Sequence, residues 1–355
     1  MKFEDVSLWE HLKSTDKPIL MYGTGNGADK IISALEKYGI SLSGIFASDG
    51  FVRDRYFYGF HVLSYSEVIK KFGHNIAVLL AFGTTRPEVI SFIHELDKNH
   101  ELIIPDVPLY GGELFDMPYF LKHRSQFDTV YSLLNDEKSK DVFSDAINFR
   151  LSGKLKYLSN TSTFADSVKE LLSDFNISSA IDGGAFSGDT TRDIIGCLFP
   201  KRVYSVEADP KTYKKLKEYS ETEKRASVIP QFAALGTENG CKVYISSGSR
   251  GAGISGANKR SKECTVPCRT IDSLCSAEKI DLIKLDIEGD ENAALDGALS
   301  VIKRDEPNMI VSLYHRTDDL FQLILRLHEL LPRHRLYVRR VPCVPMWDLS
   351  LFAIK

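Results

Sequence analysis

Residues 180–191 read AIDGGAFSGDTT, and this stretch decides how the second half of the chain folds. The apolar start running into Asp182 reads as a short buried strand, Gly183, Gly184 and Gly188 as a tight turn, and Asp189 and Thr190 as the opening of a helix. A strand that turns sharply into a helix beside a ligand needs left-handed backbone or a missing Cβ at several positions, and glycine supplies both. Short polar side chains suit the first turn of the helix that follows. About twenty residues on, the spacing nucleotide-type folds use, the next apolar run, Val203 to Val206, ends in Glu207. A carboxylate there is placed to accept ribose hydroxyls. Loop and strand-end acid together point to an adenosine-containing cofactor.

A chain of 355 residues is long enough for two domains, each with its own core. Its hydrophobic share of 43% and charged share of 26% are those of a folded globular protein rather than a disordered one. The net charge of -3, with no basic stripe or tail, gives no reason to expect a nucleic-acid partner. No apolar run approaches the roughly 18 residues of a membrane span. The opening MKFEDVSLWEHLK is acidic and amphipathic, unlike a secretory signal. Six cysteines in so long a chain do not suggest a disulfide framework, so a cytoplasmic protein with reduced thiols is the expectation.

Residues 1–120 repeat the strand–turn–helix theme. KPILM runs into YGTGNGADKIISALEKYG, with Gly23, Gly25 and Gly27 in the turn and Ile31, Ile32 and Leu35 as a helical apolar stripe. A strand ending at Ser48 and Asp49 follows, then a helix around Ser64 to Phe72, the buried strand NIAVLLAF and a helix from Pro87 to Lys98. Such alternation predicts a small doubly wound α/β domain of the Rossmann-like kind. Its turn resembles a dinucleotide loop, with Asp49 at about the distance for a ribose contact; equally, the glycines can serve tight strand-to-helix packing alone. Residues 121–177 read as a helical connector, open to roles as lid, linker or homodimer interface.

Residues 178–355 continue as alternating strands and helices, closed by two apolar strands. A parallel sheet ending in an antiparallel hairpin is the layout of the class I methyltransferase fold, although alternation alone does not exclude a dehydrogenase. Five blocks carry a more specific likeness: IDGGAFSGDTT, VEADP, VPCRTIDSL, IKLDIEGDENAALDGA and VSLYH, in that order. This series resembles the FkbM family of S-adenosyl-L-methionine-dependent methyltransferases over about half the chain, from Leu172 onward. The resemblance implies that Asp182, Gly183, Gly184 and Gly188 line the methionine end of the donor, that Glu207 takes both ribose hydroxyls, that Ala208 and Asp209 flank the adenosine, and that Gln231, Phe232 and Ala233 lie near the adenine. Asp209 can equally cap a helix, with Pro210 next to it.

The resemblance also implies a hydroxyl acceptor on a carbohydrate or similar small molecule. Asp286, Glu288 and His315 fall at the ends of adjacent core strands, where open parallel sheets place their sites. They are the expected catalytic residues, with His315 suited by its ordinary pKa to act as base. No metal is expected, although Asp286 and Glu288 are oxygen ligands of the kind a divalent ion takes. Cys264, Cys268 and Cys275 do not have the spacing of a paired zinc site and read as half-buried thiols. Arg250, Lys259, Arg260 and Lys262 surround a glycine-rich loop that could gate an acidic acceptor or simply be solvated. Two rival functions stay open. One is an NAD-linked sugar oxidoreductase or epimerase using Gly23 to Gly27, against which no Tyr-x-x-x-Lys pair stands at a suitable place. The other is a binding or scaffold protein that keeps the donor pocket without turnover.

Overall fold

In a computed structural model, which describes residues 2–52, 54–108, 110–240, 242–247, 262–275 and 277–355, the chain divides into two compact units. The first comprises Met1–Asp128, Lys140–Thr161 and Val341–Asp348; the second comprises Thr129–Ser139, Ser162–Arg340 and Leu349–Lys355. Residues 121–177 hold the helices Arg124–Leu133, Glu137–Ser152 and Phe164–Leu172. Of these residues, 121–128 and 140–161 belong to the first unit and 129–139 and 162–177 to the second.

The first unit holds strands β1 (Ile19–Tyr22), β2 (Gly44–Ala47), β3 (Tyr56–Phe57), β4 (Phe60–Ser64), β5 (Ala77–Leu80) and β6 (Glu101–Ile103). They form one sheet in the order β3-β4-β2-β1-β5-β6, parallel except for the β3–β4 hairpin. Every residue of β1 and β5 is buried, which is why these strands read as unbroken apolar runs. The helix Asn26–Tyr38 turns Ala28, Ile31, Ile32 and Leu35 into the core beside Trp9 and Leu12, and stops where Gly39 adopts the left-handed conformation.

The second unit carries β7 (Ser179–Gly183), β8 (Arg202–Glu207), β9 (Ser227–Phe232), β10 (Ala234–Leu235), β11 (Lys242–Ser247), β12 (Lys262–Arg269), β13 (Leu282–Leu285), β14 (Asn308–Ser312), β15 (Arg335–Arg340) and β16 (Leu349–Ile354). Seven of them make a sheet ordered β15-β16-β14-β13-β7-β8-β9, and β10, β12 and β11 make a small sheet of their own. β7, β8, β9, β13 and β14 run parallel, while β16 is antiparallel to both β14 and β15. This is the seven-stranded class I methyltransferase arrangement. The order reverses between β7 and β13, so their carboxyl ends open a crevice at the switch point. Among the described residues no helix is long and apolar enough to cross a membrane.

One charge pair lies inside this sheet. β13 reads LIKL and all four residues are buried, Lys284 included. Its Nζ lies 3.0 Å from Asp182 Oδ1 on neighbouring β7, whose residues are likewise all buried. Taking two charges out of water is costly, and the pair persists because each satisfies the other. Lys284→Met leaves Asp182 as an uncompensated buried carboxylate and is expected to lower stability by about 3–5 kcal/mol. Replacing both members, Lys284→Met with Asp182→Leu, is expected to recover most of that loss. Urea unfolding of the two variants checks this, and equal losses in both would contradict it.

Candidate active site

The loop leaving β7 is built from backbone that most side chains cannot adopt. Gly184 has φ 73° and a Cβ there would stand 1.9 Å from the Asp286 carbonyl oxygen, so only glycine lets the loop lie against the end of β13. Gly188, at φ 90°, starts the helix Asp189–Leu198. The amides of Gly184 and Ala185 both donate to the Val206 carbonyl at 3.0 Å, which ties the loop to the end of β8. A Cβ on Gly183 would press into Leu235 and Leu285.

Asp182 is completely buried beneath this loop and does not line a cleft. Its Oδ2 accepts from the hydroxyls of Thr190 at 2.8 Å and Thr191 at 2.6 Å, and Thr191 also pairs with Ser205 at 2.9 Å. Lys284 Nζ, besides facing Asp182, donates to the carbonyls of Gly183 at 3.2 Å and Gly184 at 3.0 Å. Its oxygens are taken up from below, so Asp182 anchors the loop that was expected to line the methionine end of the donor. Burial works against the Lys284 charge, yet Asp182 and then Asp286 outweigh it and raise its pKa above the ordinary lysine value.

Glu207 stands at the end of β8 with its carboxylate fixed by two amides. Phe186 N donates to Oε2 at 2.9 Å and Asp209 N donates to Oε1 at 2.7 Å. Each oxygen keeps a second lone pair for another donor. Burial, reinforced by the neighbouring Asp209 charge, pushes the Glu207 carboxyl up to about 7 in spite of these amides and Lys284. Asp209 caps the helix Pro210–Thr222, its Oδ1 accepting from the amides of Lys211 at 3.0 Å and Thr212 at 2.9 Å. Of the two roles the sequence left open, the structure provides the capping one. Ala208, Gln231 and Phe232 are half-buried and Ala233 is buried, its amide on the Glu207 carbonyl at 3.3 Å. Phe232 packs on Tyr213 with ring centres 5.1 Å apart.

A second cluster sits at the ends of β13 and β14. Asp286 Oδ1 accepts from Ser312 Oγ at 2.8 Å and Tyr314 Oη at 2.9 Å. Burial opposes its charge, but Lys284 and then His315 prevail and hold the carboxyl below the usual range. Glu288 is in the left-handed region at φ 61°, followed by Gly289 at φ 98°, a local strain of the kind that clusters at functional turns. His315 is 1% exposed, with Nδ1 2.9 Å from Glu291 Oε1 and Nε2 3.4 Å from Asp286 Oδ1 and 3.5 Å from Glu288 Oε2. Burial disfavours its charge, yet Glu291 first, then Asp286 and Glu288, push its pKa up to about 10. A ring set among three carboxylates favours its protonated form, which weighs against the neutral base expected at His315.

Asp286, Glu291 and His315 each place one donor atom within 4.8 Å of the others, a spacing compatible with a cation, and the charged ring already supplies positive charge there. Cys268 and Cys275 are buried, and burial with Glu278 nearby raises the Cys275 thiol to about 12, as for an inert core thiol. Arg250, Lys259 and Arg260, and the side chains of Lys262 and Cys264, lie outside the described residues. Lys284, Glu291, Ser312 and Tyr314 were not singled out from the sequence. A lysine inside an apolar strand was a readable signal for the first; nothing local marks the other three.

In the first unit, Asp49 accepts from Ser66 Oγ at 2.6 Å and Ser66 N at 3.3 Å, at the start of the helix Tyr65–Phe72. A Cβ on Gly23 would meet the Phe82 ring at 2.5 Å, and one on Gly27 would stand 3.0 Å from the Ala81 carbonyl oxygen. Close strand-to-helix packing accounts for both glycines.

Residues 182–339 match the family model described as the methyltransferase FkbM domain. A crystal structure of the methyltransferase FkbM from Methylobacillus flagellatus KT is similar in fold, with a TM-score of 0.70 and 17% identity over 94% of this chain and 89% of that one. Aeropyrum pernix fibrillarin, solved with natively bound S-adenosyl-L-methionine, matches at a TM-score of 0.34 and 15% identity, over 54% of this chain and 73% of its own. No curated protein matches the chain. Residues 182–339 of the chain therefore carry a methyltransferase FkbM domain.

Proposed function

We propose that the protein transfers methyl from S-adenosylmethionine to a hydroxyl of a carbohydrate or a similar small molecule. The observation that carries the reading is Glu207: a strand-end carboxylate fixed by two amides, beside a loop whose glycines let it lie close against its neighbours. These groups fit the donor, since a carboxylate offers two acceptors to a ribose diol. When bound, the donor supplies a methyl on a sulfonium, so that the carbon–sulfur bond breaks as a carbon–oxygen bond forms.

The chain's own residues then have to orient the acceptor and remove its proton. Asp286 and Glu288 are the acceptors proposed for that proton, with Asp286 the weaker base because its carboxyl is held low. His315, as an imidazolium, does not take the proton; it offsets the negative charge of the two carboxylates. The reading includes a cytoplasmic place of action, as expected for so long a chain with only six cysteines. The carbohydrate assignment rests on the family resemblance and is tested by an acceptor panel. Methyl transfer to sugars is expected, and methylation of non-sugar acceptors alone would end it.

Titration calorimetry with S-adenosylhomocysteine, NAD and NADP tests the donor. Binding of the first alone is expected, and Glu207→Ala should weaken it roughly 10–150-fold, the worth of hydrogen bonds to a charged group. Binding of NAD alone would move the site to the first unit. The pH dependence follows from the raised Glu207 value. Below pH 7 the carboxyl is largely protonated, and hydroxyl donors favour its charged form, so binding releases a proton. Affinity is expected to rise by up to about tenfold per pH unit as the pH climbs towards 7 and to level off above it, with no such slope in Glu207→Gln. In the ligand-free protein the same group costs stability as pH rises from its ordinary 4.5 towards 7.

A further inference from the structure

We propose that Glu291 is a positioning residue of this site: from the buried side it fixes the His315 ring so that Nε2 stands between Asp286 and Glu288 as a built-in countercation. The geometry is that of a row. Glu291 Oε1 accepts from the Ile287 amide at 2.9 Å, which sets the carboxylate at the start of the helix Glu291–Asp296. The same oxygen lies 2.9 Å from His315 Nδ1, and both side chains are 1% exposed. A ring with a buried carboxylate 2.9 Å from Nδ1 is oriented by that charge contact, and its other nitrogen is then directed at whatever lies opposite. Opposite are Asp286 at 3.4 Å and Glu288 at 3.5 Å, both about one-third exposed and so open to a ligand.

The charged groups around the ring come from every neighbouring element. Asp286 follows β13, Glu288 lies in the turn after it, Glu291 begins the next helix, and Asp319 begins the helix Asp319–Leu330. Asp319 is buried, and burial together with the Glu291 charge raises its carboxyl to about 7, so it is only partly ionised at neutral pH. Lys284 faces Asp286 from the sheet, and the Tyr314 ring lies 4.1 Å from the imidazole. Two close carboxylates cannot both stay ionised without a nearby positive charge. With the ring held between them both remain acceptors, which is the state needed to bind acceptor hydroxyls and to receive a proton from one. A neutral or rotated ring would let one of them keep a proton of its own.

The activity part of the inference rests on the methyltransferase reading; the state of the ring does not. The experiment is therefore an NMR titration of histidine-15N-labelled full-length protein, with the His315 signals assigned by their loss in His315→Gln. In the wild type the ring is expected to stay protonated well above neutral pH, and in Glu291→Gln its titration midpoint should fall by at least one pH unit, a tenfold loss of proton affinity. A wild-type ring that is neutral at pH 7 overturns the proposal even if the variant does not fold, and an unchanged midpoint in a folded variant overturns it as well. Where methyl transfer is measurable, Glu291→Gln should lower kcat and move the acidic limb of its pH profile, while S-adenosylhomocysteine binds as before. Glu291→Asp should restore part of both. A ring that behaves as stated in a protein with no detectable transfer supports the positioning role and counts against the methyltransferase reading alone.

Discussion

The donor-side half of the site depends on the contact between Lys284 and Asp182. A glycine-rich loop has no side chains with which to hold itself in place, and its left-handed residues give it a large choice of conformations in the unfolded chain. Lys284 removes that freedom from below. Its ammonium reaches two successive loop carbonyls while Asp182 neutralises it and takes two threonine hydroxyls from the first turn of the following helix. Strand, loop and helix are thereby locked to β13, the strand that carries Asp286. A buried pair of this kind is a weak source of net stability, and its value here is in fixing one loop geometry.

The same sequence signal has two different outcomes in the two units. Gly23, Gly27 and Asp49 in the first mimic Gly184, Gly188 and Glu207 in the second. Yet Asp49 is exposed and turns both oxygens to Ser66 at a helix start, and Gly23 and Gly27 are explained by Phe82 and the Ala81 carbonyl. Glu207 is half-buried and is fixed by the loop side, with one amide on each oxygen, from Phe186 and from Asp209. Pattern and spacing report that a strand turns into a helix; they do not report which element the acid that follows is turned towards.

The legibility of the rest divides along the same line. Both parallel sheets, the closing antiparallel hairpin and the strand-end position of Glu207 were readable, because apolar periodicity and turn residues are local properties. The roles of Asp182, Asp209 and His315 were not. Each depends on partners that meet it through the fold: Lys284 for Asp182, the capped amides for Asp209, and for His315 a carboxylate, Glu291, that looks on its own like an ordinary first-turn acid. The ordinary pKa of histidine was a sound starting point, and three carboxylates around a buried ring displaced it.

These partners form a single line of alternating charge. Asp182, Lys284, Asp286, His315 and Glu291 run negative, positive, negative, positive, negative, from beneath the glycine loop to the helix behind the acceptor side. In such a line each interior member is stabilised by two opposite neighbours, so the removal of any interior one brings two like charges together in a poorly solvated place. Asp319 is the next acid beyond Glu291, and burial together with the Glu291 charge pushes its carboxyl up to about 7. The alternation also links the two halves of the site. Lys284 is shared between the anchor of the glycine loop and the Asp286 carboxylate, so the geometry of one and the charge of the other are set by a single residue.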